Sequence, residues 1–443
     1  MAELVFTWFV LLVLCVALVS RRENSGALLL AYFLGLSVIH VPGAVDFLGN
    51  ASGLYTGAET KIGFELTLAG MAALLLGAYL ARATSAGGRV PLSQDPRVDW
   101  QRIGTILLTA GVGAYFFVMP LAGLVPSLAS VLSAIGSLLI VGVWVFFYDA
   151  TARSDHRRTL LLLAALPLLP LSTLATGGFL GYGTYWLIAI LAFLFVIAPN
   201  RRVFYIAAPF AVWLGLSLAV AYFAERSDIR EAVWQERAGF GERFSRISEI
   251  AKSFELYDIN NPSHLHAIDI RLNQNWLVGL AVQRHEEGAT EFLHGASVPW
   301  WTLVPRAIWP DKPLVGGGGD IVTHATGVPF AAGTSVGAGQ PLEFYANFGW
   351  VGVIGGFASL GYLLMRLDRR LATAFRKGDV RGVLVIGLPG LALLQPGGNL
   401  LEIVVAFVAA MIAARVTWAG LSAFAWRRAA RPHVRPSRIV QAR

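Results

Sequence analysis

Long apolar runs alternate with short polar or basic stretches along most of the chain, and this pattern predicts about eleven membrane-spanning helices. The runs fall at roughly 4–20, 26–42, 62–82, 103–119, 126–148, 159–176, 184–199, 203–223, 341–365, 381–395 and 400–420. The rhythm stops once, between the eighth and ninth runs. There 224–340 turns polar and aromatic and holds His264, His266, His285, His294 and His324, so it is expected outside the membrane. Basic residues gather at Arg21 and Arg22, across 82–102 and 153–158, at Arg201 and Arg202, across 366–381, and from Arg427 onward. Placing all of them in the cytoplasm puts the N-terminus on the periplasmic side and the C-terminus inside. The expected fold is an all-α polytopic membrane protein. Helices one to eight occupy 1–223, a large, partly helical periplasmic loop 224–340, helices nine to eleven 341–420, and a basic cytoplasmic tail 421–443.

Composition agrees with lipid as the solvent. The 443 residues are 56% hydrophobic and 14% charged, which would expose large apolar patches in water. The net charge of +8 follows the loop bias and the tail lacks interleaved aromatics beyond Trp426, so nucleic acid is not an expected partner. The single cysteine, Cys15, lies in the first run and permits no internal disulfide. That run follows Glu3 instead of a basic segment and has no clear small-x-small cleavage site, so it reads as a retained helix.

Within the loop, Ile229, Val233, Phe240, Phe244, Ile247, Ala251 and Phe254 recur mostly at three- and four-residue spacing, which predicts an amphipathic surface helix. After the turn Asn261-Pro262-Ser263 a second helical pattern sets Ile268, Leu272 and Val282 on an apolar face, with Arg271, Gln274 and Asn275 sharing the other. From Pro299 to Gly319 the sequence reads as irregular but ordered, since Trp300, Trp301 and Trp309 offer burial. Two glycine-rich breaks, 176–183 and 395–399, fall on the outer side, as ordinary turns or as lining of the same outward pocket as the loop.

Several chemistries lack their residues. There is no Walker lysine motif, no His-Glu-x-x-His pair and no Gly-x-Gly-x-x-Gly after a strand. The string Gly333-Thr334-Ser335-Val336-Gly337 has no strand before it and no histidine after it until His433. The run 316–319 lacks a following lysine and a helix start, so it reads as a lid-like connection and not as a phosphate cradle. No Asp-x-Asp pair suggests a bound metal. What remains is cationic: Arg271, Arg284, Arg306 and Lys312 among aromatics. Arginine forks suit diphosphate oxygens, lysine adds a point charge, and tryptophan faces suit sugar. Taken singly, each arginine also fits a structural ion pair.

Two segments sharpen this. Phe292-Leu293-His294-Gly295 followed by Val304-Pro305-Arg306-Ala307-Ile308-Trp309-Pro310-Asp311-Lys312-Pro313 resembles the outer loop of bacterial oligosaccharide repeat-unit polymerases, the O-antigen polymerase family. The stretch 339–352, with Glu343, Tyr345-Ala346-Asn347-Phe348-Gly349 and Trp350, resembles that family's acidic lead-in to the helix after the loop. The family often has an arginine at the middle-helix break, which 176–183 lacks.

The resemblance implies a membrane-embedded glycosyltransferase of the GT-C type in the bacterial inner membrane, without metal or other cofactor. Its donor and acceptor would be undecaprenyl-diphosphate-linked oligosaccharides, and a flippase and a chain-length regulator are candidate partners. Arg271, Arg306 and Lys312 are the expected cations for the departing diphosphate. Gln274, Asn275, Arg284, Trp309, His294, Tyr345 and Asn347 complete the expected substrate-binding set. Glu343 is the favoured base, because an acid leading into a spanning helix is costly to place there without purpose. His266, Asp269 and His294 are its rivals, and a simple helix N-terminal acid is the structural alternative. A ligase using the same donor stays open. A transporter or flippase is disfavoured here because spanning runs carry almost no ionisable residues beyond Glu65 and Glu402.

Overall fold

A computed structural model describes residues 1–20, 27–49, 57–83, 98–120, 128–177, 180–226, 254–304, 308–309, 311, 317–330 and 336–429. The first half runs through α1 (Ala2–Val19), α2 (Ala27–Gly49), α3 (Ala58–Ala83), α4 (Trp100–Gly113), α5 (Ala129–Gly136) and α6 (Leu138–Ala152). It continues through α7 (His156–Ala165), α8 (Leu168–Gly177), α9 (Leu180–Ile197) and α10 (Arg202–Ala224). The loop region contributes α11 (Pro262–Arg271), α12 (Gln274–Glu286) and α13 (Gly318–Thr326). Then come α14 (Gly339–Lys377), α15 (Val380–Ala392) and α16 (Leu400–Ala429).

Among the described residues, ten helical stretches are long and apolar enough to cross a membrane, with α5–α6 and α7–α8 each forming one broken stretch. The protein is thus an all-helical, multi-pass membrane protein. The expected span at 381–395 is the shorter α15, of 13 residues. Its helix ends because the chain turns at Pro396 and the two glycines after it. The Gln340 amide then donates to the carbonyls of Gln395 and Gly398, at 3.0 and 2.9 Å. Irregular backbone at membrane depth survives where protein satisfies it in this way.

Two helices outrun the apolar runs that predict them. α2 continues to Gly49 and α14 to Lys377, because the acids that end the hydropathy signal, Asp46 and Asp368, are buried inside the protein. Asp368 receives the N–H groups of Leu28 and Leu29, at 2.8 and 3.0 Å, and so caps the first turn of α2 from more than 300 residues away. Those N–H groups have no partner within their own helix, and the positive end of its dipole favours a carboxylate. Asp149 of α6 binds Arg153 and Arg158 at 2.8 and 2.9 Å, which fixes the turn into α7.

Glycines set the closest crossings. A Cβ on Gly77 of α3 would stand 1.9 Å from the Ala358 carbonyl oxygen, and one on Gly361 of α14 would stand 1.9 Å from that of Leu74. α4 and α6 meet the same way, Gly111 against the Leu139 backbone. Small residues let helix backbones approach where no water drives them together. Nearby, Trp144 stacks on Phe193 at 5.2 Å while Tyr148 and Trp100 close on Phe375 at 4.9 and 5.7 Å.

Candidate functional site

The site is built where α11 and α12, the start of α14 and the 393–399 break meet the outer half of α2. Asn261 caps α11 by accepting from Ser263 N at 3.0 Å, with Pro262 in the first helical position, as the turn sequence leads one to expect. Ile268, Leu272 and Val282 are buried as their spacing predicts. Arg271, Gln274 and Asn275 do not share one polar face, however. The helix breaks at Leu272 and Asn273, so Arg271 is exposed, Gln274 half-buried and Asn275 fully buried.

That break docks on α2. Pro42 cannot donate within its helix, and next to it Gly43 N donates instead to the Leu272 carbonyl at 3.3 Å. Asn273 Nδ2 donates to Asp269 Oδ1 at 2.9 Å and to Thr60 Oγ1 at 3.2 Å. Asn275 Nδ2 donates to the His40 carbonyl at 2.6 Å, and its Oδ1 meets His40 Nδ1 at 2.7 Å. The first bond fixes which end of the amide is oxygen, so in the neutral ring the proton sits on Nδ1 and Nε2 carries a lone pair. α12 then crosses α3 at Gly63 and Gly279, where added Cβ atoms would lie 1.9 Å from the Asn275 carbonyl and 1.8 Å from that of Glu59. The loop helices are therefore wedged among the spanning helices.

The second arm is the start of α14. Gly339 takes φ +72°, and a Cβ there would lie 2.8 Å from Gln274 Oε1. Tyr32 Oη donates to Gln340 Oε1 at 2.7 Å. Glu343 is completely buried. Its Oε2 accepts from Leu400 N at 2.7 Å, the first residue of α16, and the Ser297 hydroxyl adjoins the same carboxyl group. Asn347 ties the 293–297 segment down. It accepts from Gly295 N at 2.8 Å and donates to Ser297 Oγ at 2.9 Å, while Leu293 N bonds the Ala346 carbonyl at 2.9 Å. At Phe348 and Gly349 α14 leaves helical geometry, with φ +58° at the glycine, so Gly339–Asn347 is a separate short helix.

α9, which begins within the first glycine-rich break, approaches the second. Tyr185 Oη is 3.4 Å, and Gln274 Nε2 3.6 Å, from where a Cβ on Gly397 would be. Tyr182 is within electrostatic reach of Glu402. Gly178 and Phe179 lie outside the described residues.

Gln274, Asn347 and Glu343 thus converge, joined by Tyr32, Tyr185 and Gln340, which sequence reasoning missed. Tyr345 sits in an aromatic cluster with His285, Phe292 and Trp350, at 5.5 to 6.5 Å between centroids. Arg284 serves elsewhere: its Nη2 donates to the Ala289 carbonyl at 3.2 Å and its guanidinium covers Gly327 at the end of α13. His294 is exposed in a tight turn, at φ +49°, and Trp309 is 39% exposed. Of the rival bases, His266 is exposed and Asp269 is buried against Asn273. Arg306, Lys312, the amphipathic helix expected over 229–254, apart from Phe254, and Gly333 to Ser335 lie outside the described residues.

Two expectations are corrected. The glycines before Asp320 do start a helix, α13, because the Asp320 carboxylate accepts from Gly317 N at 3.0 Å and so caps it from inside the first turn. The spanning helices also carry more ionisable groups than their hydropathy suggests, since His40, Asp46, Asp149, Glu343 and Asp368 are all buried in them. His40 stood inside a predicted span and was a legible signal. In the segment before α11, burial and the carboxylates of Asp46 and Asp258 push the Tyr257 phenol above its ordinary pKa. Among the described residues no group of three or more His, Cys, Asp or Glu is placed to hold a metal ion. No protein-family model, curated protein or solved structure matches the chain.

Proposed function

We propose that the protein is a membrane glycosyltransferase that polymerises undecaprenyl-diphosphate-linked oligosaccharide repeat units at the periplasmic face of a bacterial inner membrane. One observation carries the reading. The two segments whose sequence resembles the O-antigen polymerases, around 292–295 and 339–352, lie against each other through Asn347, with the buried Glu343 one turn away. Residues about 50 apart in sequence thus form one unit next to the 393–399 break, and Arg271 is exposed at the end of α11. In this reading the cations hold the departing diphosphate, and lipid reaches the site from the bilayer side. A ligase would use the same donor and a different acceptor.

A carrier is the second reading, and the buried polar groups along α2 favour it, because ionisable residues inside spanning helices also line transport paths. In vitro turnover separates the three. Purified protein is supplied with a lipid-diphosphate-linked repeat unit and the product is resolved on a gel. A ladder that disappears with Arg271→Ala and with Glu343→Gln, both still folded, is the expected result. Single addition to a foreign acceptor alone means ligase. No turnover of any lipid-linked glycan, with transport into liposomes, overturns the enzyme reading.

A further inference from the structure

Two left-handed pieces of backbone meet at Asn347, and they gather exposed rings. On one side His294 takes φ +49° and Gly295 φ +90°; on the other Gly349 takes φ +58° with ψ −146°, a region that essentially only glycine adopts. Asn347 joins the two, since its side-chain oxygen accepts from Gly295 N at 2.8 Å and its carbonyl from His294 N at 3.2 Å. Left-handed backbone is uncommon at a residue with a side chain, and it persists where the surrounding contacts hold it. Here it sets Phe292 on His285 at 4.5 Å between centroids and brings the His294 ring to 6.3 Å from both Phe292 and Phe348. The Phe292 ring also lies 3.2 Å from where a Cβ on Gly349 would be. Yet Phe292 stays 37% and Phe348 53% exposed, and His294 is exposed between them. The rings are held in place without being buried.

Three occupants are available for such a surface: acyl chains, a phosphate group or a sugar. Acyl chains are disfavoured by position. Arg366 is the first basic residue of α14, and from Gly349 to Arg366 is 17 residues of helix, a rise of about 26 Å against a hydrocarbon layer of about 30 Å. The kink therefore stands at the edge of the hydrocarbon, with Phe348, Phe292 and His294 on its outer side. Phosphate is disfavoured by charge. Glu291 precedes Phe292, Glu286 and Glu287 follow His285, all three are exposed, and Glu286 is within electrostatic reach of Tyr345. The cation of the same helix end, Arg284, is turned to the Ala289 carbonyl and to Gly327. A sugar suits both features, because its apolar face lies on aromatic rings while its hydroxyls donate to carboxylates, which only accept.

We propose that Phe292, His294 and Phe348 form a stacking platform for the glycan part of the substrate, rimmed by glutamates that take its hydroxyls, with the diphosphate held elsewhere. The inference rests on the glycosyltransferase reading and deepens it by naming the surface that the sugar meets, one helical turn from Glu343 through Asn347.

Binding to the full-length protein in nanodiscs tests this. Two labelled probes are used, the repeat-unit oligosaccharide freed from the cell's own lipid-linked glycan, and undecaprenyl diphosphate without sugar. Phe348→Ala removes an exposed ring, and His294→Gly removes the imidazole at a backbone angle that suits glycine, so both variants should fold. Each should weaken oligosaccharide binding about three- to tenfold while changing lipid diphosphate binding less than twofold, and Phe348→Trp should retain most of the sugar affinity. Unchanged oligosaccharide binding in both variants overturns the platform. So does an equal loss of both probes, or a wild type that binds no oligosaccharide. The turnover assay decides the glycosyltransferase reading separately. A ladder together with unchanged sugar binding sinks the platform alone, whereas sugar binding that falls in both variants without any turnover upholds the platform and sinks that reading.

Discussion

The pairing of Asn275 with His40 makes a sharp prediction about stability. Both residues are wholly buried and the two bonds are short, 2.7 and 2.6 Å. Asn275→Leu keeps the volume nearly constant but leaves the His40 Nδ1–H buried and without an acceptor. An orphaned buried donor costs about 1–3 kcal/mol and the lost net bonding about 1 kcal/mol more, so the variant should be less stable by roughly 2–4 kcal/mol. His40→Leu strands the Asn275 oxygen and should cost a similar amount. The double variant strands neither side-chain group, and only the residue-40 carbonyl is left without its Asn275 donor. It should therefore recover part of the loss, with a coupling of at least about 1 kcal/mol. The assay is thermal inactivation of the detergent-solubilised protein at one scan rate, followed by size-exclusion recovery, since a protein of this type unfolds irreversibly and its stability is read as a rate. Simple additivity of the two losses, or a single variant that melts with the wild type, would refute the reasoning.

Two further predictions concern the scaffold. Gly361→Leu should destabilise by about 1–3 kcal/mol or more, because its Cβ would fall 1.9 Å from the Leu74 carbonyl, while Gly355→Leu on the same helix, with nothing within 4 Å, should behave as wild type. Melting curves of the two variants check this. Asp368→Ala removes the cap on α2 and should cost about 1–3 kcal/mol, whereas Asp368→Asn keeps one accepting oxygen and should lose less, as hydrogen exchange at Leu28 and Leu29 would reveal.

Hydropathy locates the spanning helices because one number per residue decides whether a segment prefers lipid. It places their ends poorly for a physical reason. Asp46 and Asp368 look like helix-ending polar residues, yet each is buried by a partner segment distant in sequence, and no local window contains that partner. The break at 395–399 is legible because proline and glycine state their backbone needs locally. The kink at Gly349 is visible only as a glycine among several. Gln274 and Glu343 are legible as polar residues at the edges of apolar patterns, but their meeting depends on Gly339 taking a positive φ, which the sequence does not declare. The His40 contact spans 235 residues, and a histidine in an apolar run is the whole of its local signature.

Glu343 shows how far a motif and a structure can assign different tasks to one side chain. Sequence reasoning favours it as a base, which must touch the acceptor hydroxyl. In the structure one of its oxygens is already engaged, capping the first residue of α16 across the 393–399 break, and the side chain has no exposed surface. The two tasks are compatible only if Oε1 alone faces the substrate. Substitution separates them. Glutamine retains an oxygen for Leu400 N, so Glu343→Gln keeps the cap and the fold, whereas alanine strands that N–H and should destabilise by about 1 kcal/mol or more. If Glu343→Gln melts like the wild type and still builds a ladder, the residue positions α16 and another group takes the proton.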